Sequence, residues 1–148
     1  MRCRRQESLS LRERAAVADP DLPRREIQIY RVHDCLLIAI QDDLDDGMVI
    51  ALQDSLMQRI VSSGAHGVLI DISALEIVDT FTGRMLAGIA RMASLLDADC
   101  VLVGMRPAVA ITLVELGMRL EGVKTALNVD RGLELIRRSL RPVPVNAG

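Results

Sequence analysis

Short uninterrupted runs of apolar residues alternate along the chain with apolar residues spaced three or four positions apart. The uninterrupted runs have the length of strands, and nearly continuous apolar character is typical of strands covered on both faces. Three such runs predict strands at Cys35–Ile40, Gly67–Ile72 and Cys100–Gly104. The spaced residues have the period of amphipathic helices. They predict four helices. The first carries Leu44–Ile60 and ends at Ser63-Gly64, the second carries Met85–Leu96, the third runs from Pro107 to Gly117, and the last carries Leu133–Leu140.

Two weaker strands complete the element order. Ile27–Val32 has a half-apolar pattern that breaks at His33, and Val123–Leu127 is a short apolar segment between polar ones. The order β-β-α-β-α-β-α-β-α predicts an α/β domain with a mixed, mostly parallel sheet and an antiparallel strand pair at its edge. We expect the helices to pack on one side of this sheet, and Asp130 to cap the last helix.

The length of 148 residues suits one domain, which we place at residues 26–141. Residues 1–25 carry seven arginines against four acids, contain two prolines and show no sustained periodicity. This composition predicts a flexible, Arg-rich N-terminal arm. Pro142 and Pro144 end the last helical pattern, so residues 142–148 are expected to form a flexible tail.

Composition excludes several classes of function. The net charge is −2, and the positive charge is concentrated in the N-terminal arm, which is not the footprint of a nucleic-acid-binding domain. Tyr30 and Phe81 are the two aromatic residues of the sequence, so neither a base-stacking platform nor an aromatic cage is expected. The core must therefore be aliphatic.

Three cysteines, Cys3, Cys35 and Cys100, give an odd count without a CxxC pair. This pattern suggests neither a disulfide framework nor a thiolate metal site. Cys35 and Cys100 each begin an apolar run, as buried reduced thiols do. Because the N-terminus lacks the apolar region of a signal peptide and no apolar run could span a membrane, we expect a cytoplasmic protein without metal or cofactor.

Clustered carboxylates follow the first apolar strand. Asp42 and Asp43 lie after it, and Asp71 lies near the end of the next, which imitates the acid pocket of a phosphoryl-accepting receiver domain. The 27 residues between Asp43 and Asp71 hold one helix and one strand, where a receiver needs more. The ordinary interpretation is a solvated, acidic helix start.

Enzymatic features are sparse. His33 and His66 lie beside turns, and no nucleophile, P-loop or dinucleotide-binding motif is present. The segment Gly104–Pro107 precedes a helix and could hold an anion, or it could be a plain strand-to-helix turn. A small phosphate- or nucleotide-binding enzyme that uses Arg106 is therefore one alternative function.

The segment Asp79-Thr80-Phe81 follows the second apolar strand and opens a helix. Loops at the carboxyl ends of strands are where function collects in open α/β sheets. Thr80 is at an N-cap or first-turn position, and capping alone would explain a threonine there. Phe81, beside polar neighbours, could stay partly exposed as an anchor for a partner.

Several segments resemble STAS domains, the anti-sigma-factor antagonist family. Val78–Phe81, preceded by Gly67–Ile72, resembles the phosphorylation segment of the family. Gly104–Gly117, Thr125–Leu127 and Cys35–Gln41 are similar to its stressosome branch, with RsbS-type proteins the nearest group. The resemblance implies a single STAS domain. Asp97 stands where the family usually has Gly.

The resemblance implies a non-enzymatic, phosphorylatable antagonist and scaffold in a stressosome-like partner-switching complex. Such a protein sequesters an RsbT-type serine/threonine kinase and releases it on phosphorylation, which regulates the general stress response. It assembles with RsbR-type STAS paralogues, as a homo-oligomer or a large hetero-assembly, with neither nucleic acid nor membrane as a partner. A simpler alternative is an anti-anti-sigma factor that binds an anti-sigma kinase outside a stressosome.

The same resemblance assigns roles to individual residues. It makes Thr80 the phosphoacceptor. It places the partner-binding residues in two segments: Asp79, Phe81 and Thr82 around the acceptor, and Arg106 and Pro107 after the third apolar strand.

Overall fold

A computed structural model describes residues 27–42, 44–118, 120 and 122–140. The elements follow the predicted order. They are β1 (Ile29–Val32), β2 (Cys35–Ala39), α1 (Asp46–Ser63), β3 (Gly67–Asp71), α2 (Thr80–Leu95), β4 (Asp99–Val103), α3 (Pro107–Glu115), β5 (Val123–Ala126) and α4 (Val129–Leu140). The predicted N-terminal arm and C-terminal tail lie outside the described residues.

The five strands form one sheet in the order β1-β2-β3-β4-β5. β1 pairs with β2 antiparallel through a tight turn that places Val32 opposite Cys35. The remaining three pairings are parallel. The mixed, mostly parallel sheet with an antiparallel edge is therefore confirmed. One helix lies between β2 and β3, which differs from the receiver arrangement and agrees with the short spacing between Asp42 and Asp71.

Helices α1, α2 and α3 cover one face of the sheet. Alternate strand residues such as Ile38, Ile70 and Leu102 point to this side and are at most 1% exposed. Leu56 of α1 and Ile89 of α2 pack against them with no exposed surface. Because every second residue of a strand faces the same way, this side accounts for only half of each apolar run.

Helix α4 lies on the opposite face, so the expectation that all helices pack on one side is wrong. Leu69 and Val101, between the residues that face α1 to α3, pack with Leu133 and Ile136 of α4. A Cβ at Gly132 would lie 2.5 Å from the Leu69 Cδ2, which shows how closely α4 approaches the sheet. The physical reason is that strands apolar on both faces leave half their side chains in water unless a helix covers each face.

The helix ends follow ordinary capping chemistry. The Asp45 carboxylate accepts a 2.8 Å hydrogen bond from the Met48 amide at the start of α1, and Gly64 ends that helix in the left-handed conformation at φ 66°. The Asn128 side chain, rather than Asp130, accepts from the Arg131 amide at the start of α4. Asp97 adopts a left-handed φ of 61° in the loop before β4, a conformation that glycine adopts more readily than other residues.

Candidate functional site

The candidate site lies at the edge of the sheet where β2, β3 and β4 end. The segment from Ile72 to Asp79 connects β3 to α2, and we call it the β3–α2 loop. Leu75 and Val78 anchor this loop in the core, with exposures of 1% and 4%. Between them Ile77 is 80% exposed. The two anchors therefore fix the loop while the residues between them face outward.

Asp79 is the N-cap of α2. One oxygen of its carboxylate accepts hydrogen bonds from the Thr82 amide at 2.8 Å and from the Thr82 hydroxyl at 2.9 Å. Thr80 is then the first residue of the helix, and it is exposed. Of the two positions that the sequence allowed for Thr80, the structure has the first-turn position. The cap belongs to its neighbour.

The Thr82 contacts also set the ionisation of Asp79. The amide hydrogen bond, followed by the hydroxyl hydrogen bond, stabilises the carboxylate and lowers the pKa of Asp79 below its ordinary value. Asp79 is therefore a negative charge at neutral pH, immediately before the Thr80 hydroxyl. Within the part of the chain that the structure describes, that hydroxyl has no hydrogen-bond partner.

Phe81 and Thr82 point differently from Thr80. Phe81 is half-buried and packs against the main core cluster, so it supports α2 and offers only part of its ring to a partner. Thr82 is also half-buried, with its hydroxyl bonded to Asp79. Of the three residues of the Thr80–Thr82 segment, Thr80 is the one whose side chain is free for chemistry.

Arg106 joins the loop after β4 to the β3–α2 loop. Its Nε donates a 2.9 Å hydrogen bond to the Ser73 carbonyl oxygen, and its Nη1 lies 3.7 Å from the Glu76 carboxylate. Pro107 follows as the exposed first residue of α3. The structure thus brings Arg106 and Pro107 to the same loop cluster as the residues before Thr80.

Two further contacts make this cluster compact. The Asp71 carboxylate accepts from the Ser73 amide at 2.9 Å, and the Asp42 carboxylate accepts from the Glu76 amide at 3.4 Å. Gly104, at φ 74°, passes so close that a Cβ there would lie 2.9 Å from the Ser73 Cβ. Asp42 and Asp71 therefore shape the loop as hydrogen-bond acceptors. Asp43 lies outside the described residues.

The sequence did not single out three exposed apolar residues near these elements. Ile77 is 80% exposed in the β3–α2 loop, and Ile111 and Val114 on α3 are 59% and 78% exposed. Val109 and Leu113 of α3 are buried, so this helix is apolar on both its inner and outer sides. A surface helix that is apolar all round is a recognisable sequence pattern, typical of burial against something else.

Metal binding, anion binding and membrane spanning can each be compared with the geometry of the described residues. Among residues 27–140 as described, no group of three His, Cys, Asp or Glu side chains is placed to hold a metal ion. Arg106 faces Glu76 rather than an open anion pocket. None of the helices in the described ranges is both long and apolar enough to cross a membrane.

The fold and this loop cluster define a class of protein. Residues 26–132 match the family model of the STAS domain, and the chain belongs to that family. The predicted single STAS domain is confirmed.

Two similar solved structures are of the stressosome type. RsbS of Moorella thermoacetica, solved as a serine-to-glutamate variant, is 43% identical, with a TM-score of 0.68 over 78% of this chain and 98% of that one. A chain from a structure entitled "Molecular architecture of the stressosome, a signal integration and transduction hub" is also 43% identical, with a TM-score of 0.69, and covers 78% of this chain and 100% of that one. The resemblance to RsbS-type proteins is therefore confirmed.

Similarity extends to longer proteins that contain such a domain. The RsbT co-antagonist protein RsbRA of Bacillus subtilis is 31% identical over 83 residues, which are 56% of this chain and 30% of that protein. This chain spans about a third of the length of the RsbR proteins it matches.

Proposed function

We propose that this chain is a non-enzymatic antagonist and scaffold in a stressosome-type assembly, and that it holds an RsbT-type serine/threonine kinase until Thr80 is phosphorylated. The observation that carries the proposal is that Asp79, rather than Thr80, makes the capping hydrogen bonds at the start of α2. Asp79 caps the helix, and the exposed Thr80 hydroxyl is left without a partner among the described residues. Modification of Thr80 therefore breaks no hydrogen bond of the described fold.

A phosphate at this position would act on the surface rather than on the core. It adds about −1.5 to −2 charges and several strong acceptor oxygens at neutral pH. Thr80 is exposed, so the phosphate can stay in water while Leu75, Val78 and Phe81 keep their places in the core. The fold stays intact and the docking surface changes.

The docking face that we propose combines this charge switch with exposed apolar side chains. Ile77 on the β3–α2 loop and Pro107 at the start of α3 are exposed, and Arg106 links the two segments. A partner seated on this face would meet the new phosphate at its border. A coupling of about 1–3 kcal/mol between modification and binding changes affinity roughly 5- to 150-fold, which is enough to release a kinase.

The relatives suggest the partners. RsbRA carries the description of an RsbT co-antagonist, and a stressosome structure contains a chain 43% identical to this one. We propose that this chain assembles with RsbR-type STAS paralogues in the cytoplasm and contributes no catalytic step itself. The simpler anti-anti-sigma factor would bind its anti-sigma kinase as a monomer or dimer, so the native mass of the purified complex separates the two.

The proposal is tested with purified RsbT-type kinase and the full-length chain. Wild type and Thr80→Ser, which keeps a hydroxyl, are expected to incorporate phosphate. Thr80→Ala is expected to incorporate none and to retain the kinase in a pull-down after ATP is added. Thr112→Ala, whose hydroxyl bonds the Ala108 carbonyl within α3, is the matched control and should behave as wild type.

Two results would overturn the proposal. One is undiminished incorporation in Thr80→Ala, with the phosphate mapped to Ser73 or Thr82. The other is kinase retention that is the same for phosphorylated and unmodified wild-type protein.

A further inference from the structure

Thr80 and Arg84 lie one turn apart on the same side of α2. Both are exposed, and a separation of four residues brings helical side chains together, with Cβ atoms about 5–6 Å apart. The acidic partner stands N-terminal to the basic one if Thr80 carries a phosphate. That is the favourable order for such pairs.

Among the residues that the structure describes, the Arg84 guanidinium has no acidic partner. Its neighbours at helical spacing are Thr80, Phe81, Ala87 and Gly88, and α2 contains no acidic residue. Within the described ranges no ion pair or hydrogen bond engages its guanidinium. Thr80 is therefore the one position among these helical neighbours that can bring a negative charge to Arg84, and only after phosphorylation.

The Thr82 amide and the Arg106 side chain already have partners in the structure. Asp79 occupies the Thr82 amide, so a phosphate one residue later does not find that helix donor vacant. Asp79 is itself negative, and a phosphate on Thr80 would stand beside a like charge. Arg106 is held by the Ser73 carbonyl and faces Glu76. A second negative charge at this site therefore calls for a cation, and Arg84 is placed to supply it.

We propose that Arg84 binds the phosphate of phosphorylated Thr80 within the same helix. This inference rests on the proposed function and deepens it, because it states what the modified site looks like. The planar guanidinium can offer two parallel N–H donors to two phosphate oxygens. Phosphorylation then does two things to the surface at once. It adds negative charge at Thr80, and it withdraws the Arg84 donors from any partner that uses them.

The experiment is a phosphorus-31 NMR titration of the full-length chain with phosphothreonine installed at position 80 by genetic encoding. No kinase is needed, so the outcome is independent of whether an RsbT-type kinase acts on this protein. The variants are Arg84→Gln, which removes the positive charge, and Arg84→Lys, which keeps the charge but lacks the two parallel N–H donors of the guanidinium. Arg91→Gln is the matched control, because Arg91 is exposed on the same helix about 16 Å along the axis from Thr80.

If Arg84 binds the phosphate, the second pKa of the phosphate is lower in the wild type than in Arg84→Gln. The expected difference is roughly 0.3 of a pKa unit or more, scaled from ion pairs at this spacing. It should shrink in 1 M salt, where the screening length falls to about 3 Å. In Arg84→Lys, the phosphate pKa should lie between the values of the wild type and Arg84→Gln. In Arg91→Gln, it should equal the wild-type value. Equal pKa values in wild type and Arg84→Gln, or an equal change in Arg91→Gln, would overturn the proposal while leaving kinase release untouched.

Discussion

The Arg106 Nε donates to the Ser73 carbonyl oxygen at 2.9 Å, which ties the loop after β4 to the loop before α2. The same guanidinium reaches Glu76 at 3.7 Å, between side chains that are 51% and 69% exposed. The two contacts differ in kind. The hydrogen bond fixes backbone, whereas the exposed ion pair is screened by water.

Arg106→Ala should therefore matter more than Glu76→Gln. We expect Arg106→Ala to lower the free energy of unfolding by about 1 kcal/mol and to speed amide exchange across residues 73–78. Glu76→Gln should change stability by less than about 0.5 kcal/mol. Urea denaturation and hydrogen exchange measure both effects. Equal losses in the two variants would show that the ion pair, rather than the backbone contact, holds the loop.

Asp79→Ala should remove the cap of α2 and lower Tm by a few degrees. Asp45→Ala removes the equivalent contact to Met48 on α1 and is the matched control for stability. Both variants should lose stability, but only Asp79→Ala should impair phosphorylation of Thr80. If Asp45→Ala impairs it equally, general destabilisation rather than the local geometry of α2 is responsible.

The cap of α2 should also weaken in acid. Because the folded-state pKa of Asp79 is lowered, its carboxylate contributes stability that is fully present above the unfolded pKa. That contribution is lost as the pH falls below about 4 toward the folded pKa. The Tm difference between wild type and Asp79→Ala should therefore be constant near neutrality and shrink below about pH 4. A difference that grows in acid would contradict this assignment.

Gly132→Ala should destabilise the protein by about 1–3 kcal/mol through overpacking. The new Cβ would lie 2.5 Å from the Leu69 Cδ2 and 2.9 Å from the Val103 Cγ1, so α4 must move off the sheet. Gly88→Ala is the matched helix variant, because its Cβ would meet only the flexible Gln53 side chain at 3.3 Å. We expect Gly88→Ala to be neutral or to gain up to about 1 kcal/mol. Urea denaturation measures the free energy of unfolding of both variants. Equal losses in Gly132→Ala and Gly88→Ala would show that the packing of α4 on the sheet is not the cause.

Asp97→Gly should stabilise the chain by about 0.5–1 kcal/mol, because Asp97 has a φ of 61° that costs an L-residue more than glycine. Gly64→Ala tests the opposite direction. Gly64 has a φ of 66°, and beyond its chain neighbours nothing lies within 4 Å of the place a Cβ would take. Backbone strain alone should therefore destabilise that variant. Chemical denaturation measures both, and a loss in Asp97→Gly would mean that the carboxylate has a role of its own.

Cys35 and Cys100 should resist thiol reagents in the folded protein. Burial raises the pKa of Cys35, and burial followed by the nearby Asp99 charge raises the pKa of Cys100 to about 12. Both thiols are therefore protonated at about pH 8 and shielded. A Cys3→Ser variant should label with two equivalents of reagent only after denaturation. Fast labelling of the folded variant would contradict the burial of these strands.

The sheet was predictable from sequence because its strands are apolar nearly throughout. Gly67–Ile70 is buried on both faces, and Cys35–Ile40 is buried except for the half-buried Leu37 and the exposed Ala39, so the uninterrupted runs follow from the position of these strands inside the sheet. The same runs implied that a helix must cover each face. Which helix does so is decided by Leu133 and Ile136 meeting Leu69, a contact between distant parts of the chain that no local spacing encodes.

The position of the candidate site was predictable from the sequence, but the separate roles of Asp79 and Thr80 were not. Asp79 and Thr80 are both residues that favour the N-cap, so the sequence could not say which of them caps α2. The structure decides it through the Thr82 amide. The Arg106–Ser73 contact joins residues 33 positions apart. Its acceptor is a backbone carbonyl, which every residue has, so the identity of residue 73 could not predict the contact.

That backbone contact divides tolerance to mutation unequally between its two ends. Every amino acid has a carbonyl, so the acceptor at position 73 survives any substitution whose side chain fits beside Gly104. Position 106 needs a long side chain with a donor that reaches another loop. Random mutagenesis with selection for a working switch should therefore find many residues at 73 and few at 106. Substitutions at Ser73 during evolution could therefore change the chemistry of the loop surface while the loop itself stays in place.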